Sequence, residues 1–147
     1  MLKYDFITPI LIKMEGNFIT IYSIGHGRHS FADFLNLLQK YEIKFLCDVR
    51  NYARSRWAQF NQASLSENLR ENGIGYEHLP ECGGKKIALP EDLNRGIERT
   101  LEISAEVKTV MMCSESQPAW GVFRDSYFYI LRILHRPTPI AFNNLPL

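Results

Sequence analysis

The sequence predicts an α/β fold: a single three-layer domain in which a mostly parallel sheet of about four strands is flanked by helices. Three observations carry this expectation. Apolar runs rich in β-branched and aromatic residues alternate with segments whose apolar residues recur at helical spacing. The run IKFLCDV lacks polar alternation, as strands do when both faces of a parallel sheet are covered. The 147 residues, 46% of them hydrophobic, suffice for one sizeable core. Residues 17–147 are expected to form this domain, and residues 1–16 an N-terminal arm or start-site extension, because Met14 precedes the first strong strand.

FITIYSI ends in GHG, a strand entering a glycine turn. Ser30 can cap the next helix, with Asp33 in its first turn and Phe31, Phe34, Leu35, Leu38 and Tyr41 along one face. IKFLCDV is the second strand. Ser64 and Glu67 make a capping-box pattern before a helix that Gly73 can stop. GYEHLP is the third strand and leads into the loop ECGGKKIAL. Pro90, Glu91 and Asp92 mark a helix start, with Leu93, Ile97 and Leu101 on one side. VKTVMMC is the fourth strand. A last helix is expected through Phe123, Tyr127, Ile130, Leu131 and Leu134, and RPTPIAF offers at most a short edge strand because of Pro137 and Pro139.

Seventeen basic and sixteen acidic side chains leave a formal net charge of +1, so the molecule is not a polycation, and electrostatic recognition must come from local clustering. Three cysteines, Cys47, Cys82 and Cys113, form no C-x-x-C pair, which argues against a disulfide framework and points to a reducing cytoplasm. Asp5, Pro9, Lys13 and Glu15 break up the N-terminal apolar residues, so neither a signal peptide nor a membrane span is expected. His78 and Cys82 have no second ligand pair at metal-site spacing, and no metal is expected. The sequence specifies no cofactor and no oligomeric state. Walker, G-x-G-x-x-G and G-x-S-x-G motifs are absent, which removes the usual support for ATP hydrolysis, dinucleotide binding and α/β-hydrolase chemistry.

In open α/β sheets, ligands gather beyond the carboxyl ends of the strands. Those ends here carry His26, Arg28, His29, Asp48, Arg50, Arg54, Arg56, Lys85, Lys86, Cys113 and Glu115. Arginine forks bind phosphate or carboxylate, and the turns at His26 and at Gly83 and Gly84 let backbone amides approach an anion. An anionic ligand is the physical expectation. Asp48, at the end of an apolar strand, needs a partner such as Arg50 or Arg54, in a structural clasp or as a catalytic carboxylate. Cys113 is a candidate nucleophile or a core thiol, and His26 and Glu115 are acid–base candidates. Tyr52, Trp57 and Phe60 interleave with the arginines, a pattern that either packs the loop or stacks nucleic-acid bases.

The ordered set IYSIGHG, FLCDVRNYARSRWAQFN, GIGYEHLPECGGKK and MMCSE resembles the DUF488 family, a domain of unknown function, over about Ile19 to Glu115. The resemblance matches Gly25 and His26, Asp48 to Arg50, Ser55 and Arg56, Phe60 and Asn61, Leu79, Pro80, Gly83 and Gly84, and Cys113 with Glu115. It implies an enzyme-like α/β site of unestablished activity and adds Ser55 and Arg124 to the ligand-binding candidates. The family's P-x-x-C-H-R motif survives here only as Pro118 and, shifted by one residue, Arg124, so two-cysteine chemistry is not expected. Cys82 stands where the family has leucine. LCDVR also resembles a rhodanese-like strand end, but CSESQPAWG supplies neither the glycine nor the arginine of a sulfur-transfer loop at useful spacing. Three functions therefore stand open: an anionic-ligand site, with or without catalysis; a nucleic-acid-binding module using the same arginines; or a family member whose active site has decayed.

Overall fold

The structure, a computed structural model, describes residues 7–14, 16–83 and 88–114. Five strands, β1 (Ile7–Met14), β2 (Asn17–Gly25), β3 (Phe45–Asp48), β4 (Gly75–His78) and β5 (Thr109–Cys113), form one sheet in the order β1-β2-β5-β3-β4. Strands β2, β5, β3 and β4 run parallel, and β1 pairs antiparallel with β2 along its whole length. The mostly parallel α/β sheet is thus as expected, with β1 added to the four anticipated strands. Pro9 is tolerated in β1 because, among the described strands, this one lies at the edge of the sheet, where a missing N–H can face away from the ladder.

Three helices, α1 (Phe31–Lys40), α2 (Gln62–Glu71) and α3 (Pro90–Glu106), connect the parallel strands. The chain steps in one direction from β2 to β3 to β4 and then back to β5. With constant crossover handedness, the returning helix must lie on the opposite face. The packing agrees. Phe34 and Leu38 of α1 and Leu65 and Leu69 of α2 join Ile24, Leu46, Val110 and Met112 in one core. Ile97, Leu101 and Ile103 of α3 join Ile21, Cys47, Val49, Met111 and Cys113 in the other. Consecutive residues of β3 and β5 enter opposite cores, which is why these strands show no polar alternation.

Ser30 caps α1 as its sequence predicts, its Oγ accepting the Asp33 N–H at 3.1 Å. Gly73, at φ 73°, ends α2 in a Schellman arrangement: its own N–H reaches the Arg70 carbonyl at 3.0 Å and that of Ile74 reaches Leu69 at 2.9 Å. The start of α2 differs from expectation. It begins at Gln62, ahead of the Ser64–Glu67 pattern, because Asn61 already turns the chain and the Gln62 N–H bonds the Ala53 carbonyl at 3.0 Å.

The same Schellman turn closes α1, but there the left-handed position holds Glu42 at φ 57°. Its N–H bonds Gln39 at 3.0 Å and that of Ile43 bonds Leu38 at 2.9 Å. A side chain at this angle crowds its own carbonyl. Glu42→Gly is therefore expected to stabilise the fold by roughly 0.5–1 kcal/mol, net of glycine's extra freedom when unfolded. The exposed Lys108–Glu42 pair that it removes is worth little. A rise in the urea midpoint would show this; an unchanged or lower midpoint would refute it.

The last predicted helix, the RPTPIAF segment, and Gly84, Lys85, Lys86, Glu115 and Arg124 lie outside the described residues. Among the described residues no helix is long and apolar enough to cross a membrane.

Candidate functional site

The parallel ladders set the strand ends in a row. Gly25 pairs with Cys113, and Asp48 is level with Met112 on one side and His78 on the other. The next residue after β2, His26, extends the ladder by donating its N–H to the Cys113 carbonyl at 3.1 Å.

Asp48, fully buried, is the most heavily bonded group of this row. Its Oδ1 accepts from the Arg50 backbone N–H at 3.2 Å and from Arg50 Nε at 2.8 Å. Its Oδ2 accepts from Arg50 Nη2 at 2.6 Å and from the Tyr76 hydroxyl at 2.6 Å. A carboxylate offers about four acceptor positions, and these four bonds occupy them. The arrangement is therefore the clasp: it holds Arg50 by a two-pronged ion pair and leaves no lone pair on Asp48 to take a proton from a ligand. Burial, and then the Asp48 charge, push the Tyr76 phenol well above its ordinary range, so it stays a donor.

His26 lies in the same layer. Its ring stacks on Phe60 at 4.4 Å between centroids with planes 16° apart, and Phe60 meets Phe34 edge-on at 5.1 Å. Nδ1 donates to the Gly27 carbonyl at 2.9 Å. Burial is the main cause that lowers His26 to about 4, partly opposed by the Gly27 hydrogen bond and reinforced by the Arg50 charge. The imidazole is thus neutral at neutral pH. His78 is committed differently, donating from Nε2 to the Arg50 carbonyl at 2.6 Å.

Arg54 and Arg56 are exposed on the loop that follows, and Ser55 anchors it: its N–H reaches Asn61 Oδ1 at 2.7 Å and its Oγ accepts from the Trp57 N–H at 3.0 Å. Asn51 ties the loop to the Pro80 carbonyl at 2.8 Å. Gly83 is buried against this tie, and a Cβ there would lie 2.5 Å from Asn51 Nδ2 and 2.7 Å from the Val49 carbonyl. Its amide is taken by Pro80 at 3.0 Å, so what the glycine supplies here is close approach. Between the loop and the start of α2 lies a cleft of about 570 Å³, lined by Asn51, Tyr52, Arg54, Asn61, Ala63 and His78 among others. No side-chain hydrogen bond caps α2, whose first N–H, that of Gln62, is given to the Ala53 carbonyl.

Cys113 is not brought to this group. It belongs to the core beneath α3, whereas His26 stacks on the core beneath α1 and α2. Cys47 and Cys82 share the α3 core; burial is the main cause that pushes the Cys47 thiol up to about 12 and raises Cys82 further. Among the described residues no group of three or more His, Cys, Asp or Glu side chains is placed to hold a metal. Tyr76 is the partner that sequence reasoning missed. Its signal is the spacing in GYEH, which puts Tyr76 and His78 on one face of β4, but only the β3–β4 register shows that this face meets Asp48.

Residues 30–91 match the model of a family described as domain of unknown function DUF488. Over this segment the chain is similar to the DUF488 family. The matched DUF488 segment contains Asp48, Arg50, Arg54, Ser55, Phe60, Tyr76, His78 and Gly83, while His26 and Cys113 lie to either side of it. No curated protein and no solved structure matches the chain.

Proposed function

We infer that this protein binds a phosphate-bearing or otherwise anionic small molecule beyond the carboxyl ends of β3 and β4. The observation that carries the reading is the cleft that sets Arg54 beside the uncapped first turn of α2. A helix start presents unpaired N–H groups and the positive end of its dipole, and a guanidinium adds a full charge. Arg50 is not the anion fork, because Asp48 holds two of its three nitrogens; it stiffens the floor on which Asn51 to Arg54 stand. His26 is the acid–base candidate in this reading, and a reducing cytoplasm the setting.

Titration with inorganic phosphate and with nucleotides, followed by calorimetry, tests it. Arg54→Ala should weaken binding at least about tenfold, from the loss of a charge-assisted hydrogen bond, with the melting temperature of the unliganded protein unchanged. Equal affinity in the variant, or no binding by the parent, would remove the anion cleft and bring forward a decayed site.

A nucleic-acid-binding reading has one observation of its own: Tyr52 and Trp57 are 59% and 37% exposed beside Arg54 and Arg56. Binding to oligonucleotides only, weakening steeply and log-linearly with salt, would favour it over the small-molecule site.

A further inference from the structure

Two buried polar atoms at the strand ends have no hydrogen-bond partner: His26 Nε2 and Arg50 Nη1. Their residues are only 2% and 6% exposed. Leaving such groups unsatisfied is costly, so an unpaired donor and acceptor in one layer call for a shared partner. The two are of opposite kind. Because Nδ1 of His26 gives its hydrogen to Gly27, the neutral ring offers a lone pair at Nε2. Because Asp48 holds Nε and Nη2, Arg50 offers N–H at Nη1.

The sheet register brings them level. Continuing the Gly25–Cys113 pairing puts His26 beside position 114, and continuing the Asp48–Met112 pairing puts Arg50 beside the same position from the other side. Their backbones are thus about 10 Å apart along the row, two strand spacings, from which the two side chains reach inward. Both fall on the α1 and α2 side, His26 against Phe60 and Arg50 against the Asp48–Tyr76 pair.

We propose that these two groups share a subsite for a single hydroxyl oxygen, of a water or of an alcohol, that accepts from Arg50 Nη1 and donates to His26 Nε2. An ionised phosphate or carboxylate oxygen can accept from Arg50 but has no hydrogen for His26. An ammonium can donate but not accept. A hydroxyl does both. Charge agrees, since the Asp48–Arg50 pair is balanced and the imidazole is neutral, leaving no net charge to recruit an ion. The subsite shares His26 with the acid–base role above but needs neither Arg54 nor the cleft.

The test is a high-resolution crystal structure of the full chain in two arms, without any added alcohol and with 1,2-ethanediol, beside nitrogen-15 spectra of the histidine-labelled protein at neutral pH. An oxygen within hydrogen-bond distance of both Nε2 and Nη1 is expected. Unchanged density in both arms assigns water, and carbon density in the second assigns an alcohol. The spectra should show His26 protonated at Nδ1 with Nε2 shifted as a hydrogen-bond acceptor. No oxygen in either arm, a hydrogen on Nε2, or an Nε2 resonance at its unbonded position would each overturn the proposal. His26→Phe, which keeps the stack on Phe60, should lose the ordered oxygen; its retention at Arg50 alone would also count against it.

Discussion

Asparagine at position 48 should destabilise the protein by roughly 3–5 kcal/mol, the usual cost of removing one member of a buried ion pair. The side chain keeps its shape but loses its charge and one acceptor oxygen. Its amide would then confront Arg50 Nη2 and the Tyr76 hydroxyl, both of which donate to Asp48 Oδ2 at 2.6 Å. The guanidinium, 6% exposed at the residue level, would be left buried without a counter-charge. In urea the midpoint should fall with the slope unchanged. Replacing all three members together, Asp48→Leu with Arg50→Met and Tyr76→Phe, should recover much of the loss, because apolar replacement of a whole buried pair is often neutral. A cost below about 1 kcal/mol for Asp48→Asn would show that the clasp is not holding the strand ends. Binding of the proposed anionic ligand by a folded Asp48→Asn protein separates the roles: retained affinity with lost stability means that Asp48 acts through Arg50 alone.

Acid should weaken the fold before the carboxylates titrate. His26 has an ordinary value of 6.5, and burial lowers it to about 4 in the folded state. Between those two values the unfolded chain binds the proton that the folded chain refuses, so stability rises with pH across this window. It is complete above about 6.5 and is lost progressively as pH falls toward about 4. The shift corresponds to on the order of 3 kcal/mol. His26→Phe should flatten that part of the profile, since phenylalanine can stack on Phe60 without taking up a proton. Urea unfolding at pH 7.5, 6 and 5 for both proteins is the measurement; parallel profiles would show that His26 is not held neutral.

Much of this architecture was legible because local signals and tertiary packing agree. The apolar runs of β2, β3 and β5 have helices on both sides, and the Ser30 and Gly73 signals sit where the chain turns. β1 was not legible as a strand: Pro9 and Lys13 dilute its pattern, and only pairing along β2 organises it. At the strand ends, the aspartate and the arginines were visible, but their division of labour was not. Whether Arg50 faces a ligand or Asp48 depends on a turn of two residues, and whether Tyr76 reaches Asp48 depends on a register 28 residues away. Cys113 illustrates the same gap. In a wholly apolar strand, alternation gives the parity of each residue but not which parity shares the histidine's layer.

The direction of β1 has a practical consequence. Because it runs against its neighbours and Ile7 pairs with Ile24, the chain enters the sheet at the rim where His26 and Asp48 sit, and Met14 leaves it at the far end. A purification tag or fusion partner joined ahead of Ile7 is therefore tethered at the rim that carries the proposed ligand site and can obstruct it. Removing such an attachment before any binding assay guards against a blocked entrance being taken for an inactive protein.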